Sequence, residues 1–429
     1  MHPDELAALR TPEGAAALTA ATQVLTAPTG GDPLAAASAL RTAGVSPPLA
    51  AAALTQATLR ARAVGKFGPV AGRMFFTRTG LEQATRAVVA DRRAARLRAA
   101  GVRTLADLGC GLGADTLAAA RAGIRVYAVE ADPGTAALAA ANAHAAGLAD
   151  LVTVTCADAT TIDVAGYDAV FCDPARRSGT GRRTFDPDSY SPSWNFVRAL
   201  TERVPRTVVK AAPGIDHALI PPGAEAEWVS VDRDVVEAAF WCGPLAAVGR
   251  RATLLRPERA ANHGTGRAAV ELTGDGAEPV SVGPVRRYLY DPDGTVVRSH
   301  LVAAFAATVD GALADESIAY VYADTHVDTP YARCLEITDV LPFSLKRLRT
   351  LLRERGVTRL EILKRGSALD PAQLRRDLRL RTAAGAGVPA SLVLTRVAGA
   401  PTVLLAQPVQ PVQPVQPVQP VQPVQPVDR

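Results

Sequence analysis

Three stretches hold residues whose types and spacing could do chemistry. The first, "ADLGCGLGAD", sets Asp107, Gly109, Gly111 and Gly113 at two-residue intervals. Glycines there let the backbone approach a ligand closely, and a helix N-terminus just after them attracts negative charge. Glu130 falls further on, at the end of the next apolar run, where an acid can hold ribose hydroxyls. The pattern fits any nucleoside-containing cofactor, although it lacks the Gly-x-Gly-x-x-Gly spacing of a nicotinamide site. The second stretch, "YDAVFCDPARRSGTGRR", runs from an apolar segment into Asp173-Pro174-Ala175-Arg176 and on to Arg177, Arg182 and Arg183. It reads either as a strand ending in a turn, since Asp and Pro are turn formers, or as a lip that holds a polar group of an anionic substrate. The third lies between Lys346 and Arg381, where twelve basic residues stand against four acidic ones in a chain of net charge +5. Such a patch gives sequence-independent affinity for phosphates, or it is the solvated face of arginine-rich helices.

Behind these stretches lies a regular order of elements. Residues 1–100 read as helical throughout, with starts marked by Thr11-Pro12-Glu13, Asp32-Pro33 and Ser46-Pro47. From residue 101 short apolar strands alternate with helices: "VRTLADLG", "RVYAVEAD", "LVTVTCAD", "YDAVFCDP" and "RTVVKAAPG". That alternation predicts a mostly parallel, doubly wound α/β sheet of Rossmann-like type over 101–256. The pair "VVEAAFWC" and "RRATLLR" is expected to close it as an antiparallel hairpin. Residues 257–330 read as a linker followed by a β-hairpin at "RRYLYDPDGTVV", whose Asp-Pro-Asp-Gly is a turn signal. A small α+β domain is expected over 331–405. There Ser344 caps "LKRLRTLLRERG", Gly356 stops it, and Asp370-Pro371 starts a further helix. The tail over 406–429 repeats Gln-Pro-Val and should be an extended appendage.

The glycine loop resembles the first motif of class I S-adenosylmethionine-dependent methyltransferases, and the resemblance implies S-adenosylmethionine as cofactor. It also implies that Asp107 faces the amino-acid end of that cofactor and Asp158 its adenine amine. Asp173-Pro174-Ala175-Arg176 is similar to the motif with which amino-methylating members orient a target nitrogen at the transferable methyl. Arg176 stands where those members carry an aromatic to sandwich a base; its guanidinium can stack as well, or Phe185, Tyr190 or Trp194 could supply the platform. "TVVKAAPG" has no cysteine for attack through a base carbon, and Cys172 reads as core. A base nitrogen is therefore the expected target.

Together with "KFGPVAGRMFFTRTGLEQAT" and "LPFSLKRLRTLLRERGVTRLEILKRGSALDPAQLRRDLRL", these motifs resemble a bacterial family of class I methyltransferases with a C-terminal THUMP-like domain. A more distant similarity to trimethylguanosine synthases would put Phe76 and Thr77 over the cofactor. The THUMP-like resemblance implies structured RNA, tRNA or rRNA, as partner, gripped by Lys346, Arg347 and the Lys364-Arg365-Gly366 turn. The alternatives are a methyltransferase for a protein or small molecule, and a non-catalytic RNA-binding protein.

Composition is consistent with this reading. The chain of 429 residues is 48% hydrophobic, enough for two or three cored domains. Its five cysteines lack metal-ligand spacing, so no metal is expected. The acidic start "MHPDELAALR" lacks the apolar core of a signal peptide, and a cytoplasmic protein is expected.

Overall fold

The computed structural model describes residues 1–26, 33–176, 190–257, 267–379 and 388–409. These form two compact units, Met1–Glu278 with Asp293–Ala304, and Pro279–Pro292 with the chain from Phe305.

The first unit begins with helices α1 (Pro3–Leu9), α2 (Pro12–Thr26), α3 (Pro33–Thr42), α4 (Pro47–Phe67), α5 (Arg78–Gln83) and α6 (Ala87–Ala99). The Thr11 hydroxyl caps α2 by accepting from Gly14 N at 3.1 Å, whereas Ser46 precedes α4 without a side-chain cap bond. Strands β1 (Thr104–Leu108), β2 (Arg125–Glu130), β3 (Val152–Cys156) and β4 (Ala169–Cys172) follow, with α7 (Ala114–Arg121) and α8 (Pro133–Ala145) between the first three. A short ladder pairs β5 (Ala175–Arg176) with β6 (Tyr190–Ser191). Helix α9 (Trp194–Arg203) then leads to β7 (Thr207–Ala211), β8 (Glu225–Val231), β9 (Asp234–Trp241), β10 (Arg250–Pro257) and β11 (Arg267–Gly274). The sheet order is β3-β2-β1-β4-β7-β9-β8-β10-β11. Its β3–β7 half is parallel, as the βαβ alternation predicts.

Successive strand residues serve opposite faces. Leu105, Phe171 and Val208 join a core shared with the N-terminal helices, α7 and α8, while Ala106, Val170 and Val209 pack with Trp194, Val197 and Leu200 of α9. On the helical side, α6 turns arginines toward the sheet. Arg92 meets Glu227 at 2.6 Å, Arg96 meets Glu225 at 2.6 Å and Arg93 meets Glu237 at 2.7 Å, all three carboxylates being buried.

Three sequence expectations need correction. "VVEAAFWC" does not pair with "RRATLLR"; β9 inserts between β7 and β8, and β10 lies parallel beyond β8. The intervening strand Glu225–Val231 carries two buried glutamates, which hide it from an apolar-run search. The expected linker contains β11, an edge strand paired antiparallel to β10 whose described residues are at most half-buried, so its apolar pattern is weak. Asp-Pro-Asp-Gly makes no hairpin. Pro292 ends β12 (Tyr288–Pro292), and Asp293 caps α10 (Gly294–Arg298), its carboxylate accepting from Thr295 N at 3.1 Å and pairing with Arg256 at 2.8 Å. A cap for a helix and a turn for a hairpin use the same residue types.

After α11 (Val302–Thr308), the second unit continues with β13 (Ala312–Leu313), β14 (Val321–Ala323), β15 (Ala332–Pro342), α12 (Leu345–Glu354), β16 (Val357–Lys364), α13 (Pro371–Leu378), β17 (Val388–Val397) and β18 (Ala400–Pro408). Its sheet order is β13-β14-β12-β15-β18-β17-β16, and only β16–β17 is parallel among the named strand pairs. Leu348 and Leu352 of α12 and Leu374 and Leu378 of α13 are buried against Leu392, Leu394, Val403 and Leu405. Leu348 and Leu352, four residues apart on α12, thus mark its core face. Ser344 caps that helix as expected, and Gly356 follows it at φ 63°. Among the described residues no helix is long and apolar enough to cross a membrane.

Candidate active site

A cleft of about 350 Å³ opens where β1, β2, β4 and β7 end, lined by Gly109, Gly111, Glu130, Asp158, Asp173 and Lys210 among others. The carboxyl ends of parallel strands are where a doubly wound sheet leaves room for a ligand. Glu130, closing β2, accepts from Gly111 N at 3.0 Å on one oxygen and from Asp132 N at 3.0 Å on the other. Its carboxylate is fixed facing the loop. Gly109 sits at φ +91°, and a Cβ there would come within 3.0 Å of the Asp173 carbonyl oxygen. Only glycine lets the cofactor loop lie so close to the Asp-Pro turn. Asp158 closes the far side, its Oδ1 accepting from Thr160 N at 2.8 Å. Thr77 forms the lip as the cap of α5, accepting from Gly80 N at 3.0 Å.

The segment carrying Thr77 is held to the cofactor loop by a buried amide. Asn142 on α8 accepts from Phe75 N at 2.7 Å, and its Nδ2 donates to Phe75 O at 3.1 Å and Leu112 O at 3.0 Å. Gln56 clamps Phe76 in the same manner from α4, donating to its carbonyl at 2.7 Å and accepting from its amide at 3.0 Å.

At the floor of the cleft, Lys210 Nζ lies 2.6 Å from Asp173 Oδ2. Burial alone would push this amine down, but Asp173, Asp115 and Glu237 outweigh it and hold its pKa above the usual lysine value. Behind the pair, Arg93 reaches Asp115 at 3.3 Å and Glu237 at 2.7 Å, and Thr85 Oγ1 donates to Asp115 Oδ2 at 2.6 Å. The guanidinium also lies 4.7 Å over the Phe171 ring. Buried charges persist only when paired and hydrogen-bonded, and this chain of acid and base alternates accordingly. Sequence reading missed Lys210, Arg93, Asp115 and Glu237. Lys210 did leave a signal, a charge inside the apolar run "TVVKA". Arg93 left none, being one arginine among several in its helix.

Other expected site residues lie elsewhere. Asp107 is wholly buried beneath the loop and does not line the cleft. It accepts the Thr116 hydroxyl on Oδ2, and its Oδ1 has no partner among the described residues. Burial pushes its carboxyl up to about 7. Phe76 is also fully buried, packed 5.5 Å from Phe67, and cannot cover a cofactor. Gly113, in the left-handed conformation at φ 83°, starts α7 behind the loop. Pro174 is buried. Tyr190 and Trp194 are core residues, unavailable as a stacking platform. Cys172 is core as expected, its thiol raised well above its ordinary value by burial. Arg176 pairs through its backbone with Tyr190. Arg177, Arg182, Arg183 and Phe185 lie outside the described residues.

In the second unit the expected basic contacts divide. Lys346 and Arg347 are exposed on α12, and neither makes an ion pair among the described residues. Arg365 instead binds Asp291 Oδ1 at 2.8 Å and Pro292 O at 3.2 Å and lies over the Tyr320 ring, while Lys364 Nζ donates to Leu369 O at 3.0 Å. The Lys364-Arg365 turn is therefore an internal brace rather than a free phosphate clamp.

Comparison with known proteins agrees with this architecture. The sequence is 35% identical over 352 residues to an uncharacterized S-adenosylmethionine-dependent methyltransferase of Mycobacterium tuberculosis, covering 79% of this chain and 90% of that one. The chain belongs to the S-adenosylmethionine-dependent methyltransferases. Residues 105–177 match a methyltransferase domain, residues 332–408 a THUMP domain-like model, and residues 2–63 a domain of unknown function. A crystal structure from Porphyromonas gingivalis that carries a methyltransferase designation superposes with a TM-score of 0.68 at 19% identity, covering 92% of this chain and 99% of that one. This methyltransferase thus uses S-adenosylmethionine, and its cleft fits that group. The glycine turn leaves room for a close approach of the ligand, Glu130 is an oriented carboxylate, and Asp158 stands across from it.

Proposed function

We propose that this methyltransferase transfers a methyl group from S-adenosylmethionine to a base nitrogen of structured RNA, tRNA or rRNA, in the cytoplasm. The observation that carries the reading is Asp173, a carboxylate beside the glycine loop that is paired with the half-buried Lys210. Gly109, Gly111 and the first turn of α7 at Ala114 take the cofactor, Glu130 its ribose and Asp158 its adenine, with Thr77 at the lip. S-adenosylmethionine supplies an activated methyl on a sulfonium. The chain's own task is therefore positioning.

Asp173 accepts an N–H from the target base, so that the nitrogen lone pair points along the line of transfer. The Pro174 turn keeps the Asp173 carbonyl at the same place. The bound cofactor would supply the methyl and keep the carbon–sulfur electron pair as a thioether, while the surplus proton of the methylated nitrogen, held at Asp173, would pass to water. Lys210 holds Asp173 Oδ2, which leaves Oδ1 for the acceptor. Arg176, Arg177, Arg182 and Arg183 follow the motif in sequence and are assigned to the substrate's stacked and phosphate groups. Lys346 and Arg347, with Arg353 and Arg375 on the same basic domain, supply sequence-independent phosphate affinity.

The test is transfer of radiolabelled methyl to total RNA from a strain lacking this gene, followed by digestion to nucleosides. Label in a base-methylated nucleoside, lost in Asp173→Ala, is the expected result. Cofactor binding without label in RNA, but with label in protein or a small molecule, would overturn the RNA assignment.

A further inference from the structure

A second cavity, about 630 Å³, lies among the N-terminal helices, away from the residues of the cofactor cleft. Its lining includes Arg10, which ends α1, Arg60 of α4, Arg73, and His144 in the last turn of α8. None of its lining residues is acidic, and none of these three arginines makes an ion pair among the described residues. Three uncompensated guanidiniums around one cavity repel one another and create a positive field that a bound anion relieves. The floor is apolar, built from Phe75 and alanine and leucine side chains of α1, α2 and α8. The Arg60 guanidinium lies 4.9 Å over the Phe75 ring while its Nε donates to Met74 O at 2.8 Å. Burial lowers its pKa from the ordinary arginine value. Gln23 adds an amide able to donate and accept at once.

We propose that this cavity binds a nucleotide, its planar ring on the Arg60–Phe75 stack and its phosphate between Arg10 and Arg73. Arginine suits both parts, since its planar fork binds phosphate bidentately and stacks on bases. The site stands independently of which acceptor the cleft methylates. It is nevertheless wired to that cleft, because Phe75 forms its wall and is tied through Asn142 to Leu112 of the cofactor loop.

The experiment is calorimetric titration of the full-length protein with adenosine 5′-monophosphate, the cofactor cleft first saturated with S-adenosylhomocysteine. Binding is expected, tighter than for adenosine or inorganic phosphate alone. It should weaken at least about tenfold in the Arg10→Glu/Arg73→Glu double variant, with the affinity for S-adenosylhomocysteine unchanged. Thr22→Trp, which fills the cavity from α2, should abolish it without the charge change. Equal binding in both variants, no binding up to millimolar nucleotide, or preference for dodecanoate would overturn the proposal. A short single-stranded RNA that competes with the mononucleotide would identify a residue of RNA as the source. Failure of the RNA to compete would identify a free nucleotide. A protein that binds nucleotide here yet leaves RNA unlabelled would keep this site and remove only the RNA acceptor.

Discussion

Lys210 Nζ and Asp173 Oδ2 stand 2.6 Å apart, the lysine side chain 13% exposed and the aspartate 32%. The pair joins the end of β4 to β7, two neighbouring parallel strands, and occupies one oxygen of the Asp173 carboxylate. Removing the lysine frees that oxygen to rotate and leaves the buried side of the carboxylate without a cation.

Lys210→Met should therefore lower kcat by roughly 10- to 100-fold, the range of a misplaced positioning group. Cofactor affinity should stay within about threefold, and Lys210→Arg should recover part of the loss. Single-turnover methyl transfer beside calorimetry of S-adenosylhomocysteine binding separates the two effects. Equal loss of both would mean that Lys210 serves the cofactor instead.

Arg93→Met should be among the most damaging single changes to stability. It strands Glu237 and Asp115 in the interior, and breaking a buried pair from one side costs about 3–5 kcal/mol. Urea unfolding of the single variant and of Arg93→Met/Glu237→Gln checks this. The double variant should regain part of the loss, because the unpaired carboxylate is gone.

Asp107 makes stability fall with rising pH. Its carboxyl is raised in the fold from 3.8 to about 7, with burial the main cause, so between those values the folded chain binds a proton that the unfolded chain has released. The stabilisation is fully present below the unfolded pKa and is lost as pH climbs through about 7. Asp107→Asn removes this slope, so its melting temperature should gain on wild type between pH 4 and pH 8 by the equivalent of roughly 4 kcal/mol at most. Parallel melting curves of the two proteins would mean that another group titrates.

Gly109→Ala should weaken S-adenosylmethionine binding by about tenfold, from a strained left-handed backbone plus a Cβ pressed on the Asp173 carbonyl. Equilibrium dialysis measures it. A variant with wild-type affinity would show that the loop and the Asp-Pro turn can part without cost.

On the second unit, Lys346→Glu with Arg347→Glu should weaken RNA binding and flatten its dependence on salt, since each phosphate contact contributes close to one unit of slope. Arg365→Ala should instead lower stability and leave that slope unchanged, because Arg365 is spent on Asp291 and Pro292. Filter binding over a salt series, beside thermal melts, distinguishes the two outcomes.

Features governed by local chemistry were legible in the chain. The βαβ alternation, the glycine loop, the Asp-Pro turn and the capped helices α12 and α13 each depend on residues a few positions apart. Features that depend on what lies opposite were not. Asp-Pro-Asp-Gly reads as a hairpin until Asp293 is seen capping a helix and pairing with Arg256. The glutamates of β8 read as breaks in a strand until α6 brings Arg92 and Arg96 to them.

By itself the sequence determined that this is a methyltransferase-type α/β chain with a cofactor loop, an Asp-Pro motif and a basic C-terminal domain, because spacing along a strand or helix sets which groups emerge together. Only the tertiary structure decided that Asp173 is held by Lys210, that Asp107 and Phe76 are buried outside the cleft's lining, and that Arg365 is a brace. Those outcomes turn on burial and on partners tens of residues away. A charge or a ring acquires its role from the dielectric and the neighbours that folding gives it.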